Sequence, residues 1–226
     1  MKRGKLIIIE GTDCSGKQTQ CELLLDYLEN KGIKTAEFSY PRYDTPTGRI
    51  IGGPYLGKPH ICEGWFPEGA VNVDPKVACL FYAADRLYNS KVVEEKLNEG
   101  YTVLLDRYTF SNMGHQGGKF DDKKKRLEIY KYIETLEFEL LGLPKPDAVI
   151  LLYMPVDVAT KIRLDRTEAL DQHESNVTHL KKAAKTYLEI ADLYDFHVID
   201  CANGDEPKSI EEIHTEVVAT YEKIIV

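Results

Sequence analysis

The sequence predicts an α/β fold in which a five-stranded parallel sheet carries helices on both faces. Short, mostly apolar runs alternate with longer stretches in which apolar residues recur at helical spacing, which is the pattern of βαβ units. Three of the runs are almost continuously apolar, as expected for parallel strands that are buried on both faces. A chain of 226 residues is close to the size of one such domain. Residues 1–226 are therefore predicted to form a single domain.

The predicted elements follow one another along the chain with room for a helix after each strand. Strands are predicted at 5–10, 34–40, 102–106, 148–153 and 196–200. Helices are predicted at 17–31, 76–97, 121–141, 156–164, 175–194 and 209–225. The first helix places Cys21, Leu24 and Leu28 on one stripe and stops at Gly32, a typical helix-ending residue. Ligands of such sheets bind beyond the carboxyl ends of the strands, so the residues that follow each strand are the functional candidates.

A long insertion loop interrupts this alternation between residues 44 and 74. Six glycines and four prolines divide the segment too often for a long helix. Its apolar residues, among them Trp65 and Phe66, are too many for a disordered linker. A loop of this length inside a compact domain is usually functional.

The composition argues against nucleic-acid and membrane partners. The 29 basic and 37 acidic residues give a net charge of −8, which repels a nucleic-acid backbone. The longest apolar run, 148–154, is far shorter than the roughly 18 residues of a membrane span, and residues 1–11 lack the apolar core of a secretory signal. The five cysteines are scattered without a C-x-x-C pair, which favours thiols in a reducing cytosol over a zinc site or disulfides. A cytoplasmic protein is therefore predicted.

Residues 11–19 (GTDCSGKQT) match the G-x-x-x-x-G-K phosphate loop, between the first strand and the first helix. Gly11 and Gly16 allow the backbone to curl so that successive N–H groups point at phosphate oxygens. The helix dipole adds positive potential, and Lys17 adds a full charge near the β- and γ-phosphates. The predicted ATP-binding residues are Gly11, Thr12, Asp13, Cys14, Ser15, Gly16, Lys17, Gln18 and Thr19.

Two positions of this loop are unusual. The residue after the lysine is normally Ser or Thr, whose hydroxyl helps to hold Mg²⁺, but Gln18 stands there. Its amide oxygen could serve instead, the ion could rest on phosphates and water, or catalysis could be impaired. Asp13 places a carboxylate in an anion-binding loop, which is unfavourable unless it points toward a hydrogen-bond donor. A sugar hydroxyl would suit, and a solvent-facing acid is the alternative.

The chain resembles the thymidylate (dTMP) kinase family in three motifs that occur in the family's order. They are the phosphate loop G-x-D-x-x-G-K at 11–17, Asp-Arg-Tyr at 106–108, and Leu-Pro-Lys-Pro-Asp at 143–147. The resemblance implies a three-layer P-loop kinase fold with a mobile lid at about 163–174. It also implies ATP with Mg²⁺ as phosphoryl donor, dTMP as acceptor in dTTP synthesis, and a homodimer.

The same resemblance implies where dTMP binds. Arg107 is expected to clamp the acceptor phosphate, a task for which a guanidinium fork is well suited. Tyr82 and Arg86 lie four residues apart on one helix face, and by resemblance they stack on and read the base. The full set of expected dTMP-binding residues is Asp13, Arg42, Tyr82, Arg86, Arg107, Ser111, Asn112 and Gln116.

For catalysis the resemblance implies a set of positive groups around the transferred phosphoryl group. Some family members carry an arginine in the phosphate loop, where this chain has Cys14, whereas others supply it from the lid. The lid of this chain offers Arg163 and Arg166, but Gln172 replaces a common arginine. The expected catalytic residues are Lys17, Asp106, Arg107, Arg163 and Arg166, with Gln18 and Asp106 as metal ligands.

Two alternatives stay open at the level of the sequence. A deoxyribonucleoside kinase uses the same scaffold, but such enzymes typically have Glu-Arg-Ser where this chain has Asp106, Arg107 and Tyr108. That difference favours a phosphate acceptor over a sugar hydroxyl. A catalytically impaired nucleotide-binding homologue is the second alternative, motivated by Gln18 and Gln172.

Overall fold

The computed structural model describes residues 2–164 and 176–225. Its central sheet has five parallel strands in the order β2-β3-β1-β4-β5, so β1 lies in the middle. The strands are β1 (Leu6–Gly11), β2 (Thr35–Ser39), β3 (Thr102–Asp106), β4 (Ala148–Tyr153) and β5 (His197–Asp200). The predicted sheet is confirmed, and every strand begins and ends within one residue of the predicted position.

Helices cover both faces of this sheet. Among the described residues they are α1 (Lys17–Asn30), α2 (Pro46–Ile50), α3 (Pro75–Asn98), α4 (Thr109–Gly117), α5 (Lys123–Glu134), α6 (Val156–Leu164), α7 (Val177–Leu193) and α8 (Ile210–Ile224). A short hairpin, β6 (Ala202–Asn203) with β7 (Glu206–Pro207), follows β5. Within the described ranges, no helix has the length and apolar character needed to cross a membrane.

The three-layer arrangement follows from β1, whose residues are fully buried on both sides of the sheet. Because side chains alternate along a strand, Leu6 and Ile8 point to one face and Ile7 and Ile9 to the other. The first pair packs against apolar residues of α3, α4, α5 and α7, including Val93, Met113, Ile133 and Ile190. The second pair packs against α1, α6 and α8, including Leu24, Val158 and Val217.

Two helical regions differ from the prediction. The helix predicted at 121–141 is divided, since α5 ends at Glu134 and a π-helical segment, Thr135–Leu140, continues it. Helix α4 was not predicted, because it is short and contains glycines, which are poor helix formers. Those glycines allow close packing: a Cβ at Gly114 would meet the Tyr187 ring at 2.8 Å.

The insertion loop at 44–74 is folded rather than extended. Helix α2 leads into a π-helical turn, Ile51–Tyr55, and Ala70–Asn72 forms a 3₁₀ turn. Ile51, Tyr55, Leu56, Ala70, Val73 and Ala78 form a separate buried apolar cluster, against which Tyr82 of α3 packs. The Lys119 ammonium donates to the Val73 carbonyl at 2.7 Å and ties the insertion to the end of α4.

Candidate active site

A cavity of about 530 Å³ opens at the carboxyl edge of the sheet, where a parallel α/β sheet binds its ligands. Its walls come from the phosphate loop at 11–19, the segment after β2, the insertion, and α3, α4, α6 and α7. Every predicted ATP-binding residue lines it. So do the predicted residues Asp106, Arg107, Tyr82, Arg86, Ser111, Asn112 and Arg163.

The phosphate loop has the backbone that its glycines predict. Gly16 adopts a left-handed conformation with φ of 75° immediately before α1. A Cβ at Gly11 would collide with the Ser15 hydroxyl and the Leu152 carbonyl. The Lys17 ammonium lies inside the loop and donates to the Thr12 carbonyl at 2.9 Å. This lysine is therefore positioned at the site where phosphates bind.

The surroundings of Lys17 lower the pKa of its ammonium group. Burial, and then repulsion from Arg107, lower its pKa from 10.5 to about 8, although Asp106, Asp13 and Glu10 oppose that shift. A lysine in such surroundings gains a proton more readily when negative charge arrives beside it. Phosphate binding and protonation of Lys17 are therefore coupled.

This coupling predicts that ATP binding takes up protons at about pH 8.5, where Lys17 is largely neutral before ATP arrives. The uptake should shrink below pH 7, because the ammonium is then already protonated. Isothermal titration calorimetry in buffers of different ionisation enthalpy measures this uptake. Lys17→Ala should abolish it, and an unchanged uptake in that variant would assign the proton to another group.

The turn after β3 holds Arg107 in an unusual backbone conformation. Its φ of 67° lies in the left-handed region, which is uncommon for a residue with a side chain and costs free energy. The guanidinium donates from Nη1 to the Ser111 hydroxyl at 3.3 Å and to the Tyr187 hydroxyl at 3.5 Å. Burial lowers the pKa of Arg107, but Tyr187, Asp106 and Glu10 outweigh it, so the group stays charged.

Glu10 anchors the turn after β3, a role that was not predicted from the sequence. Its carboxylate is fully buried and accepts from the backbone N–H groups of Tyr108 and Ser111, each at 2.9 Å, and from the Ser111 hydroxyl at 2.6 Å. Burial raises its pKa, although those hydrogen bonds and Arg107 act in the opposite direction. The sequence does indicate Glu10 as unusual, because it is the one acidic residue in the otherwise apolar strand β1.

Tyr82 and Arg86 of α3, which the family resemblance assigns to the base, both line the cavity. The Tyr82 ring packs edge-on against Tyr55 of the insertion, with ring centres 5.8 Å apart. The Arg86 guanidinium is buried and paired with the Glu137 carboxylate through two hydrogen bonds of 2.5 Å. Burial alone would lower the pKa of Arg86, but Glu137 raises it.

Two predicted dTMP-binding residues do not lie on the cavity wall. The Arg42 guanidinium donates to Asp44 at 3.2 Å, and its backbone N–H donates to the Asp85 carboxylate at 2.9 Å. Gln116 is fully buried and does not line the cavity, although its neighbour His115 does. Neither side chain lines the cavity, so a contact of either one with dTMP stays a prediction.

Other groups on the wall were not singled out from the sequence. Tyr43 lines the cavity beside Arg42, and Tyr187 lines it from α7. Leu56 and Lys58 reach it from the insertion. The folding of the insertion, which brings these last two side chains to the site, leaves no periodic pattern in the sequence.

The donor that Asp13 requires is Arg163 near the end of α6. The Arg163 guanidinium donates from Nη2 to the Asp13 carboxylate in a short ion pair that joins the lid base to the phosphate loop. Burial would raise the pKa of Asp13, but Arg163 outweighs it and holds that pKa below its usual value. Asp13 therefore meets a hydrogen-bond donor of the protein itself and is only partly exposed to solvent. Arg166, Gln172 and most of the predicted lid lie outside the described residues.

A phosphate loop follows the central strand of this sheet, and a second cationic side chain, Arg107, lines the same cavity. This combination defines a kinase of the P-loop class. The family model described as thymidylate kinase matches residues 9–217. The chain belongs to the thymidylate kinase family.

Individual relatives match over nearly the whole chain. A probable thymidylate kinase of Methanocaldococcus jannaschii is 31% identical over 96% of both chains. The thymidylate kinase of Schizosaccharomyces pombe is 28% identical over 96% of this chain and 90% of its own. The solved thymidylate kinase of Candida albicans superposes with a TM-score of 0.76 at 25% identity, over 98% of this chain and 92% of that one.

Proposed function

We propose that this protein transfers the γ-phosphoryl group of ATP to the 5′-phosphate of dTMP, giving dTDP and ADP for dTTP synthesis. The observation that carries the proposal is that Lys17 of the phosphate loop and Arg107 of the β3 turn line the same cavity. One cation serves the donor phosphates and the other the acceptor phosphate. Membership of the thymidylate kinase family supports the same reaction.

This phosphoryl transfer requires the protein to align the two phosphates and to supply positive charge, but it does not require a general base. A phosphate oxygen of dTMP bonds to the γ-phosphorus while the bond from that phosphorus to the β–γ bridging oxygen breaks, and ADP leaves with the electron pair. The acceptor oxygen is already anionic, so no proton has to be removed from it. Lys17 and Arg107 bring the two polyanions together and compensate their charge.

Asp106 and Gln18 are the residues that would hold Mg²⁺ brought in with ATP. One carboxylate oxygen of Asp106 is buried and has no hydrogen-bond partner in the described part of the chain, which suits a hard cation. The Gln18 side chain donates from Nε2 to Glu22 at 2.9 Å, which leaves its amide oxygen as an acceptor. When bound, the ion supplies charge neutralisation on the transferring phosphates.

We also propose that Arg163 acts as a lid cation, together with Arg166. Arg163→Ala is expected to lower kcat by about tenfold or more, because an arginine at the transferred phosphoryl group stabilises the transition state. Steady-state kinetics with saturating dTMP measures this effect. Lys161→Ala on the same helix is the control, since Lys161 is exposed and contacts the Asp205 carbonyl. An unchanged kcat in the Arg163 variant would leave Arg166 as the lid cation.

The direct test of the proposed function is ADP release with Mg²⁺ and ATP against a panel of nucleosides and nucleoside monophosphates. Turnover with dTMP and none with thymidine is the expected result. Faster turnover with thymidine would indicate a deoxyribonucleoside kinase. Tight ATP binding without turnover of any acceptor would indicate the catalytically impaired homologue.

We further propose that the protein is a homodimer that pairs through α3. The exposed face of this helix is apolar: Val77, Leu80, Leu87 and Tyr88 are 41–61% exposed. An apolar stripe of this size on one helix favours contact with another protein surface. The net charge of −8 supports the absence of a nucleic-acid partner, and the cysteine pattern supports a cytoplasmic location. The shortness of the longest apolar run, 148–154, supports the absence of a membrane partner.

A further inference from the structure

A fully buried carboxylate, Glu137, lies behind the part of the cavity that Arg86 and Asn112 line. It belongs to the π-helical segment Thr135–Leu140, which is far from these residues in the sequence. Its Oε2 accepts from Arg86 Nε at 2.5 Å and from the Thr109 hydroxyl at 2.8 Å. Its Oε1 accepts from Arg86 Nη2 at 2.5 Å and from Asn112 Nδ2 at 3.2 Å. Glu137 therefore holds two cavity residues at once.

This contact determines which way the Asn112 amide points. A carboxylate that faces a guanidinium accepts hydrogen bonds and offers none, so the amide nitrogen of Asn112 must face Glu137. The Cys79 carbonyl, 3.5 Å from the same nitrogen, is a second group that can only accept. The amide oxygen, Oδ1, is consequently turned the other way. It is buried and has no hydrogen-bond partner among the described residues, which is costly unless a ligand donates to it.

Arg86 adds the complementary group. Glu137 takes two of its N–H groups, and Nη1 makes a long contact of 3.4 Å with the Tyr108 carbonyl. A guanidinium has five N–H donors, so donors remain on a side chain that lines the cavity. Because both side chains line the cavity, the polar groups that they have left for a ligand there are a donor of Arg86 and the acceptor Oδ1 of Asn112.

We propose that Glu137 is a positioning residue that selects thymine and uracil over cytosine, an inference that rests on the proposed function. Thymine presents an acceptor at O4 and a donor at N3–H, which match the Arg86 donor and the Asn112 acceptor. Cytosine presents a donor at N4 and an acceptor at N3, which mismatch both. Glu137 enforces the match because it keeps the Asn112 amide from turning over. Sites of this kind reject a mismatched ligand strongly, since buried polar groups are left unpaired.

Glu137→Gln tests this inference. A glutamine amide can donate to Asn112 Oδ1, so Asn112 can turn and present its nitrogen to the base. We expect kcat/KM for dTMP to fall by about tenfold or more, mainly through KM, and the preference for dTMP over dCMP to fall by a similar factor. Steady-state kinetics with both nucleotides measures these values. A loss of activity with an unchanged dTMP:dCMP ratio would show that Glu137 is merely structural.

Thr109→Val is the matched control, because it removes one hydrogen bond to Glu137 without touching Arg86 or Asn112. It should lower the melting temperature slightly and leave the dTMP:dCMP ratio unchanged. A ratio that collapses in this variant as well would overturn the specific role of the Asn112 contact.

A further arm uses the unaltered protein, in case Glu137→Gln does not fold. N3-methyl-dTMP lacks the donor that Asn112 Oδ1 requires, so it should bind at least about tenfold more weakly than dTMP. Equal binding of the two nucleotides would overturn the inference. Turnover of dTMP by the unaltered protein tests the proposed function separately, so a failure of the selectivity arms does not implicate it.

Discussion

Replacing Arg107 with alanine is expected to lower kcat/KM for dTMP by about 10²–10³-fold, which is the effect of removing a preorganised donor from a charged transition state. The guanidinium lies in the cavity on a backbone turn that is held in a left-handed conformation. The affinity for ATP should stay nearly unchanged, because ATP is proposed to bind at the phosphate loop and not at Arg107. Kinetics with each substrate varied in turn separates the two effects.

Arg107→Lys is the matched control for this prediction. It keeps a positive charge at the turn but loses the planar fork, so an intermediate loss is expected. An equal loss of affinity for ATP and dTMP in the alanine variant would contradict a clamp on the acceptor. A normal kcat/KM for dTMP would remove Arg107 from the site.

Replacing Glu10 with alanine is expected to lower the free energy of unfolding by about 3–5 kcal/mol. The substitution removes a buried carboxylate whose negative charge offsets the positive charges of Arg107 and Lys17. The backbone N–H groups of Tyr108 and Ser111 would lose their acceptor in a buried turn. The turn that carries Arg107 would then be free to relax, so kcat/KM for dTMP should fall together with stability. Urea unfolding and steady-state kinetics on the same preparation measure both effects.

Glu10→Gln separates the anchor from the charge. Glutamine keeps the volume and one acceptor oxygen, so part of the hydrogen bonding to the turn should survive. We expect a smaller loss of stability than in the alanine variant. If the alanine variant unfolds at the same urea concentration as the unaltered protein, Glu10 does not anchor the turn.

The sheet and the phosphate loop were predictable because each depends on local patterns. Buried parallel strands are recognised by apolar runs, and β3 and β4 were predicted with their observed ends. The phosphate loop needs glycines and a lysine at fixed spacing, and all its predicted residues line the cavity. Arg107 directly follows β3 and Tyr82 lies within α3, two elements that the pattern already placed.

The remainder of the site depends on contacts between distant segments, which no local pattern records. Glu137 meets Arg86 across 51 residues of sequence, through a π-helical segment where a regular helix was predicted. The resemblance implies that Arg42 binds the acceptor phosphate, which stays a prediction, because in the structure its guanidinium donates to Asp44 at 3.2 Å while Tyr43 lines the cavity. Gln116 was predicted from its motif position, yet it faces the interior of the protein.

The insertion at 44–74 and the central sheet support different parts of the cavity wall. Its apolar cluster includes the ring of Tyr82 and supplies Leu56 to the cavity, whereas the phosphate loop and Arg107 are anchored on the central sheet. Substitutions within the insertion can therefore reshape the part of the cavity lined by Tyr82 and Leu56 without altering the contacts of the phosphate loop or Arg107. An inhibitor that extends from the Tyr82 ring toward Lys58 would contact the wall of the cavity whose shape depends on the insertion.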